Sequence, residues 1–271
     1  MSFELLILIG LVAGLVAGLM GVGGGIIFTP VLYFLFEEAG IENSVLWTIG
    51  SGLFCTFIAA IGGTIRQYIQ NNFFLKEGIY LGVLGMIGVF LGKLVITSSY
   101  YSQKQFSIFF SLMLFYAAYM LFKRGRDKTD EFERKYDAIG FKAASVTGGL
   151  GGFVAALAGV GGGGIMVPVL NLFFKQPFKK TVSVSQLGMV IMVFSGWIQL
   201  ALMTPDGAGL TETTLGFVDF GAALPLSIGG LIGGFGGALL NQKISRTFLQ
   251  WGFAVLAITM ATRLIWSTFK G

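Results

Sequence analysis

Across 271 residues, 55% are hydrophobic and 11% charged, and mean hydropathy is +0.82; no aqueous fold hides that much apolar surface, so a water-soluble domain is excluded. The formal net charge of +5 does not argue for nucleic acid, because basic residues of membrane proteins collect in cytoplasmic loops. Histidine is absent and cysteine single, at Cys55, which excludes an internal disulfide, serine–histidine proteolysis and ordinary zinc chemistry.

Apolar runs fall near residues 3–20, 26–36, 43–65, 73–97 and 104–122, then near 138–158, 164–174, 180–203, 215–241 and 247–268. No basic region precedes the first run, so it is not read as a cleaved signal. Between the two sets lies KRGRDKTDEFERKYD, the one strongly charged stretch. The expected organisation is a first transmembrane repeat over 1–122, a cytoplasmic linker over 123–137 and a second repeat over 138–271. The fold class is all-α: a polytopic helical membrane protein with two inverted-topology repeats, each containing a glycine-broken or re-entrant element.

Duplication is written in the glycines. Residues 14–32 read GLVAGLMGVGGGIIFTPVL and residues 152–170 read GFVAALAGVGGGGIMVPVL, identical at 13 of 19 positions. Each copy breaks at glycines, Gly21 to Gly25 and Gly159 to Gly164, before an apolar run that contains Pro30 or Pro168. The runs 26–36 and 164–174 span ~16 Å as helix, about half of a ~30 Å hydrocarbon core. They are therefore re-entrant, or joined to the preceding run as one broken helix.

Basic residues choose between these. If the broken element enters and leaves on one side, each half has three full crossings and the halves are inverted. Fourteen lysines and arginines then fall inside, including Arg66, Lys76, Lys175, Lys179 and Lys180, against Lys104 and Lys270 outside. A single crossing by the broken element gives ten against six. The inverted arrangement fits the positive-inside rule better and puts both termini outside.

Unwound backbone at membrane depth survives only inside protein or beside a wet cavity. The helices that begin near Ile26 and Ile165 offer free N–H groups and a positive dipole end to an anion. Paired breaks in inverted halves point to a midplane substrate site in a secondary transporter. The expected binding residues are Gly23, Gly24 and Gly25 with Gly161, Gly162, Gly163 and Gly164. Ser51 and Ser185 correspond at an offset of 134, and each can place a hydroxyl beside a small oxyanion. Gln186 joins them, with Thr48 and Asn171 as further candidates. Gly88/Gly92 and Gly229/Gly233/Gly237, spaced by four, read instead as helix packing. Lys93 and Arg263 are the ionisable residues inside apolar runs. Lys93 is carried as a coupling residue; Arg263 reads as snorkelling to the interface. Glu77 and Asp219 open their helices, where dipole capping explains them as well as proton coupling would.

The duplicated block, G-x(2)-[AG]-[GA]-L-x-G-[VI]-G-G-G-x-[IL]-x(2)-P-x-L, resembles the signature of the sulfite exporter TauE/SafE family, also called TSUP. The resemblance covers both halves. It implies a prokaryotic cytoplasmic-membrane protein that moves small sulfur-containing anions such as sulfite, sulfoacetate or related organosulfonates, usually outward. No cofactor or metal is implied, and the partners are the anion and the lipid bilayer, with a homodimer as the default assembly. A passive small-anion channel built on the same glycines is the alternative.

Overall fold

The computed structural model describes residues 3–20, 24–126, 137–240 and 246–270. The first half contains α1 (Phe3–Met20), α2 (Gly25–Glu38), α3 (Ser44–Ile69), α4 (Leu75–Ile96) and α5 (Gln103–Arg126). The second contains α6 (Phe141–Ala158), α7 (Gly163–Pro168), α8 (Phe178–Ala201), α9 (Phe220–Leu240) and α10 (Arg246–Lys270). α7 widens into a π-helical turn over Val169–Phe173, directly after Pro168, which has no N–H to give the α-helical ladder. α3, α4, α6 and α8 are long and apolar enough to cross a membrane. The free face of α4 is apolar (Ile79, Val83, Met86, Phe90 and Leu94 are exposed), as a lipid-facing surface requires.

Two elements depart from the expected runs. α5 continues to Arg126, into the charged stretch, and linker residues 127–136 lie outside the described residues. The run expected to begin at 215 opens with a small hairpin, β1 (Thr214–Leu215) paired with β2 (Val218–Asp219), and helix starts only at Phe220. The reason is local. Gly216 sits at φ +53°, a turn conformation, and Asp219 accepts hydrogen bonds from the Ala222 and Thr211 backbone N–H groups, 3.0 and 2.9 Å away. It caps α9 as its position in the chain suggests.

The halves interleave. α1 lies along α9, where Gly10 and Gly14 are pressed against the Leu226 and Gly230 carbonyls. α6 lies along α4, where Gly148 and Gly152 are pressed against the Leu81 and Gly85 carbonyls. These are the same contacts with the halves exchanged: α6 residues follow α1 by 138, and α9 residues follow α4 by 145. Both pairs run parallel, with glycine letting the backbones touch. Gly88 and Gly92 belong to this packing, against Gly149 and Phe153, as do Gly229 and Gly233 against Ile7 and Leu11. The surroundings of Gly237 lie outside the described residues.

α3 and α8, the equivalent central helices, run antiparallel. Gly196 meets Leu53 at one end of their contact and Gln186 meets Gly63 at the other. α3 also runs parallel to α9, from Cys55 at Ala223 to Gly62 at Leu231. α1 and α3 therefore point the same way, so the chain between them must return: α2 runs back beside α3 rather than continuing α1. The bundle has a hairpin end, where α3 begins and β1 and β2 lie, and an Arg66 end, where α3 finishes.

Candidate functional site

α1 and α6 are 18 residues each, ~27 Å of helix, and each is followed by a shorter return helix. Both breaks end up against the middle of α3. Gly25, the first residue of α2, touches the Val160 carbonyl of the second break and the Thr56 hydroxyl. Thr29 and Thr56 donate hydrogen bonds to the Gly159 carbonyl at 3.0 and 3.5 Å. Two threonine hydroxyls from the first half thus satisfy a carbonyl that the second break frees. Left bare in a buried site, that carbonyl would cost about 1–3 kcal/mol.

The second break is built from left-handed backbone. Gly159, Gly161 and Gly162 have φ of +69°, +78° and +71°, conformations that side chains resist. Gly162 lies against the Gly151 carbonyl of α6 and Gly161 against the Thr56 methyl group. Gly163 is buried and Gly164 half-buried. Gly159, Gly161, Gly162 and Gly163 are enclosed by protein. In the first break Gly23 lies outside the described residues. Gly24 is buried, and the atoms nearest to a Cβ there belong to the Phe28 ring.

Beside Gly24 opens a cleft of about 130 Å³, lined by residues of α1, α2, α3, α8 and α9. Gly14 and Gly230 contribute bare backbone. From α8, Gln186 lies across Gly63. Arg66 and Gln67, near the end of α3, complete the cleft. Gly24 and Gln186 are the expected site residues that the fold brings together here.

Ser51 and Ser185 are not brought together. Ser51 accepts the Asp219 backbone N–H at 3.0 Å, near the hairpin end. Ser185 lies near the Arg66 end, buried, its hydroxyl without a hydrogen-bond partner among the described residues. The cause is the antiparallel crossing: equivalent residues meet only where the helices cross, near Phe57, and these serines lie ~20 Å apart along the bundle. Ser51→Ala is expected to cost about 1–3 kcal/mol by orphaning the buried Asp219 amide. Ser185→Ala should change stability by about 0.5 kcal/mol or less. Thermal unfolding in detergent measures both, and equal losses would contradict the assignment.

Other candidates have structural partners or sit elsewhere. Thr48 is fully buried, its hydroxyl unpaired among the described residues. Asn171 donates to the Gln176 carbonyl at 2.9 Å, closing the turn after the π-helical segment. Lys93 is half-buried in the last turn of α4 and does not line the cleft. Arg263 does reach the surface, where it pairs with Glu38 at 2.6 Å and lies 4.3 Å over the Phe34 ring. Lys180 is a buried ion-pair partner rather than a loop lysine: it reaches Glu77 at 3.0 Å and donates to the Asp137 carbonyl at 2.5 Å. Glu77 therefore does more than cap a dipole.

Sequence reading missed Arg66 as a site residue, counting it as an inside loop cation. Its signal was legible: Ala59, Gly62, Gly63 and Arg66 share one helical face by their spacing, and all four line the cleft.

The sequence matches the family described as sulfite exporter TauE/SafE over residues 6–264. It is similar to a "probable membrane transporter protein" of Methanocaldococcus jannaschii, 30% identical over 249 residues that cover 91% of this chain and 89% of that one. It is also similar to the "probable membrane transporter protein" YunE of Bacillus subtilis, 26% identical over 290 residues and 98% of both chains. A "probable membrane transporter protein" of Haemophilus influenzae is 27% identical over 270 residues, 96% of this chain and 97% of that one.

Proposed function

Because the chain belongs to the sulfite exporter TauE/SafE family and is a membrane transporter rather than an enzyme, we propose that it exports small sulfur-containing anions, sulfite or a short organosulfonate, by alternating access. The sulfur identity and the outward direction come from the family. Reaction at a midplane site comes from the glycine breaks only in the sense of binding: no bond is made or broken, and the anion is held and released.

One observation carries this reading: the two breaks meet beside the middle of α3, Gly25 on the Val160 carbonyl, with a largely apolar cleft that holds Arg66, Gln67 and Gln186 opening beside Gly24. At the hairpin end the positions equivalent to Gly62, Gly63 and Arg66 are Gly196, Trp197 and Leu200. Trp197 there packs edge-on against Phe54 and Phe220 at 5.4 and 6.5 Å, and Leu200 is buried. Aromatic and aliphatic packing at the positions equivalent to the cleft lining favours alternating access over an open channel. The antiparallel α3 and α8, with the exchanged α1–α9 and α6–α4 contacts, support inverted repeats about an axis in the membrane plane. In that frame the Arg66 end is cytoplasmic, the hairpin end and termini face outward, and the conformation described is open inward. At about 130 Å³ the cleft is well below the roughly 300 Å³ at which drug-sized sites begin, which suits a small anion.

Gly24→Leu tests the proposal. Gly24 lines the cleft and a Cβ there meets the Phe28 ring first, a side chain that can rotate aside, so the variant is expected to insert and run as folded protein while losing uptake of labelled sulfite. Wild-type uptake by well-expressed Gly24→Leu would contradict the site.

A further inference from the structure

We propose that the cleft beside Gly24 is an anion vestibule whose charge selectivity is set by Arg66, with the Gln186 carboxamide as the facing hydrogen-bonding group. The inference deepens the transport reading and rests on it for the direction of access, but not for the identity of the anion.

Arg66 is half-buried on the cleft, and no carboxylate among the described residues lies within ion-pair distance of it; the two pairs there are Lys180–Glu77 and Arg263–Glu38. A guanidinium stays charged at any physiological pH, so this half-buried one beside a largely apolar cleft lacks a counter-charge among the described residues. Its planar fork matches two oxygens of a sulfite, sulfonate or other small oxyanion. Across the cleft, Gln186 is held over Gly63, a position where a side chain would push the carboxamide away. Its amide N–H groups add donors that suit the same oxygens.

The repeat supplies an independent check. At an offset of 134, Arg66, Gln67 and Gln186 correspond to Leu200, Ala201 and Gly52, and these lie buried. Packing symmetry does not call for polar groups at these positions, since the other half does without them. They belong to the cleft.

Cysteine labelling reads the charge of the cleft directly. Cys55 is fully buried, its thiol 3.4 Å from the Ala223 carbonyl, which makes it a quiet background. Val182 lines the cleft from α8, so Val182→Cys reports its interior and Gln67→Cys serves as a second reporter should the first fail to express. The rates of modification by anionic and cationic methanethiosulfonate reagents of matched size are compared in proteoliposomes with the cleft accessible. The anionic reagent is expected to react faster, with the anionic-to-cationic ratio falling roughly five- to tenfold in Arg66→Gln and restored by Arg66→Lys. A ratio indifferent to Arg66→Gln overturns the proposal, and so does the absence of labelling at both reporters. If the ratio falls while the unmutated protein takes up no sulfur anion, the vestibule stands and the sulfur reading fails. If sulfite uptake is normal in Arg66→Gln and the ratio is unchanged, transport stands and the vestibule fails.

Discussion

Gly162→Leu is expected to remove the folded protein, not merely its activity. Gly162 holds φ +71°, where an L-residue is disfavoured by roughly 1–2 kcal/mol. Its missing side chain is where the Gly151 carbonyl of α6 lies. Backbone cannot rotate aside as a side chain does, so α7 must lift off α6, and overpacking of this kind adds about 1–3 kcal/mol or more. The two terms together are a large part of the 5–15 kcal/mol by which a typical protein is stable. Detergent-extracted Gly162→Leu should give little monodisperse protein by fluorescence-detected size exclusion, with Gly162→Ala intermediate. A wild-type profile for Gly162→Leu would show that the α6–α7 contact is not as close as described. Gly24 and Gly162 are both expected binding residues by sequence, yet only Gly162 is pressed against the backbone of another helix, so loss of the fold is expected for its leucine variant alone.

The second large effect is expected at the ion pair. Lys180 is 1% exposed and Glu77 18%, and Lys180 also lies 5.1 Å over the Phe74 ring. Glu77→Ala strands a buried ammonium with one carbonyl partner, and breaking such a pair costs roughly 3–5 kcal/mol. Lys180→Ala leaves the better-hydrated Glu77 alone and should cost less. Glu77→Gln combined with Lys180→Met should regain most of the loss, since replacing both charges removes the stranded one. Thermal unfolding of the four proteins measures the order. Equal stability of Glu77→Ala and the unmutated protein would show that the pair does not tie α4, α8 and the chain leaving the linker together.

The sequence revealed what depends on repetition and apolar length. The glycine breaks, the return segments and the four-residue glycine ladders are all local patterns, and α1 to α10 fall close to the apolar runs. Boundaries slipped where a side chain outvoted hydropathy, as at Asp219, whose capping of α9 left residues 214–219 to a hairpin. The site was legible only in part. Gly24 and Gln186 follow from the duplicated motif and the helix after it. Ser51 and Ser185 looked like a pair because they are equivalent in the repeat, yet an antiparallel crossing separates equivalents in proportion to their distance from the crossing point. Arg66 was hidden for the opposite reason. It has no equivalent in the other half, and a charge near the end of an apolar run reads as loop until the fold shows which face it occupies. Lys180 shows the same effect, a counted loop cation that proved to be a buried partner of Glu77.

Carriage of small sulfur-containing anions through a site beside the two glycine breaks is the activity proposed for this membrane transporter. Its most direct test is uptake by proteoliposomes of labelled sulfite, sulfoacetate and taurine against acetate, with and without a pH gradient, for the unmutated protein and Gly24→Leu side by side. Saturable uptake that prefers the sulfur anions and is lost in folded Gly24→Leu is the predicted result. No sulfur-selective uptake by protein verified as folded, or equal uptake by Gly24→Leu, would contradict it.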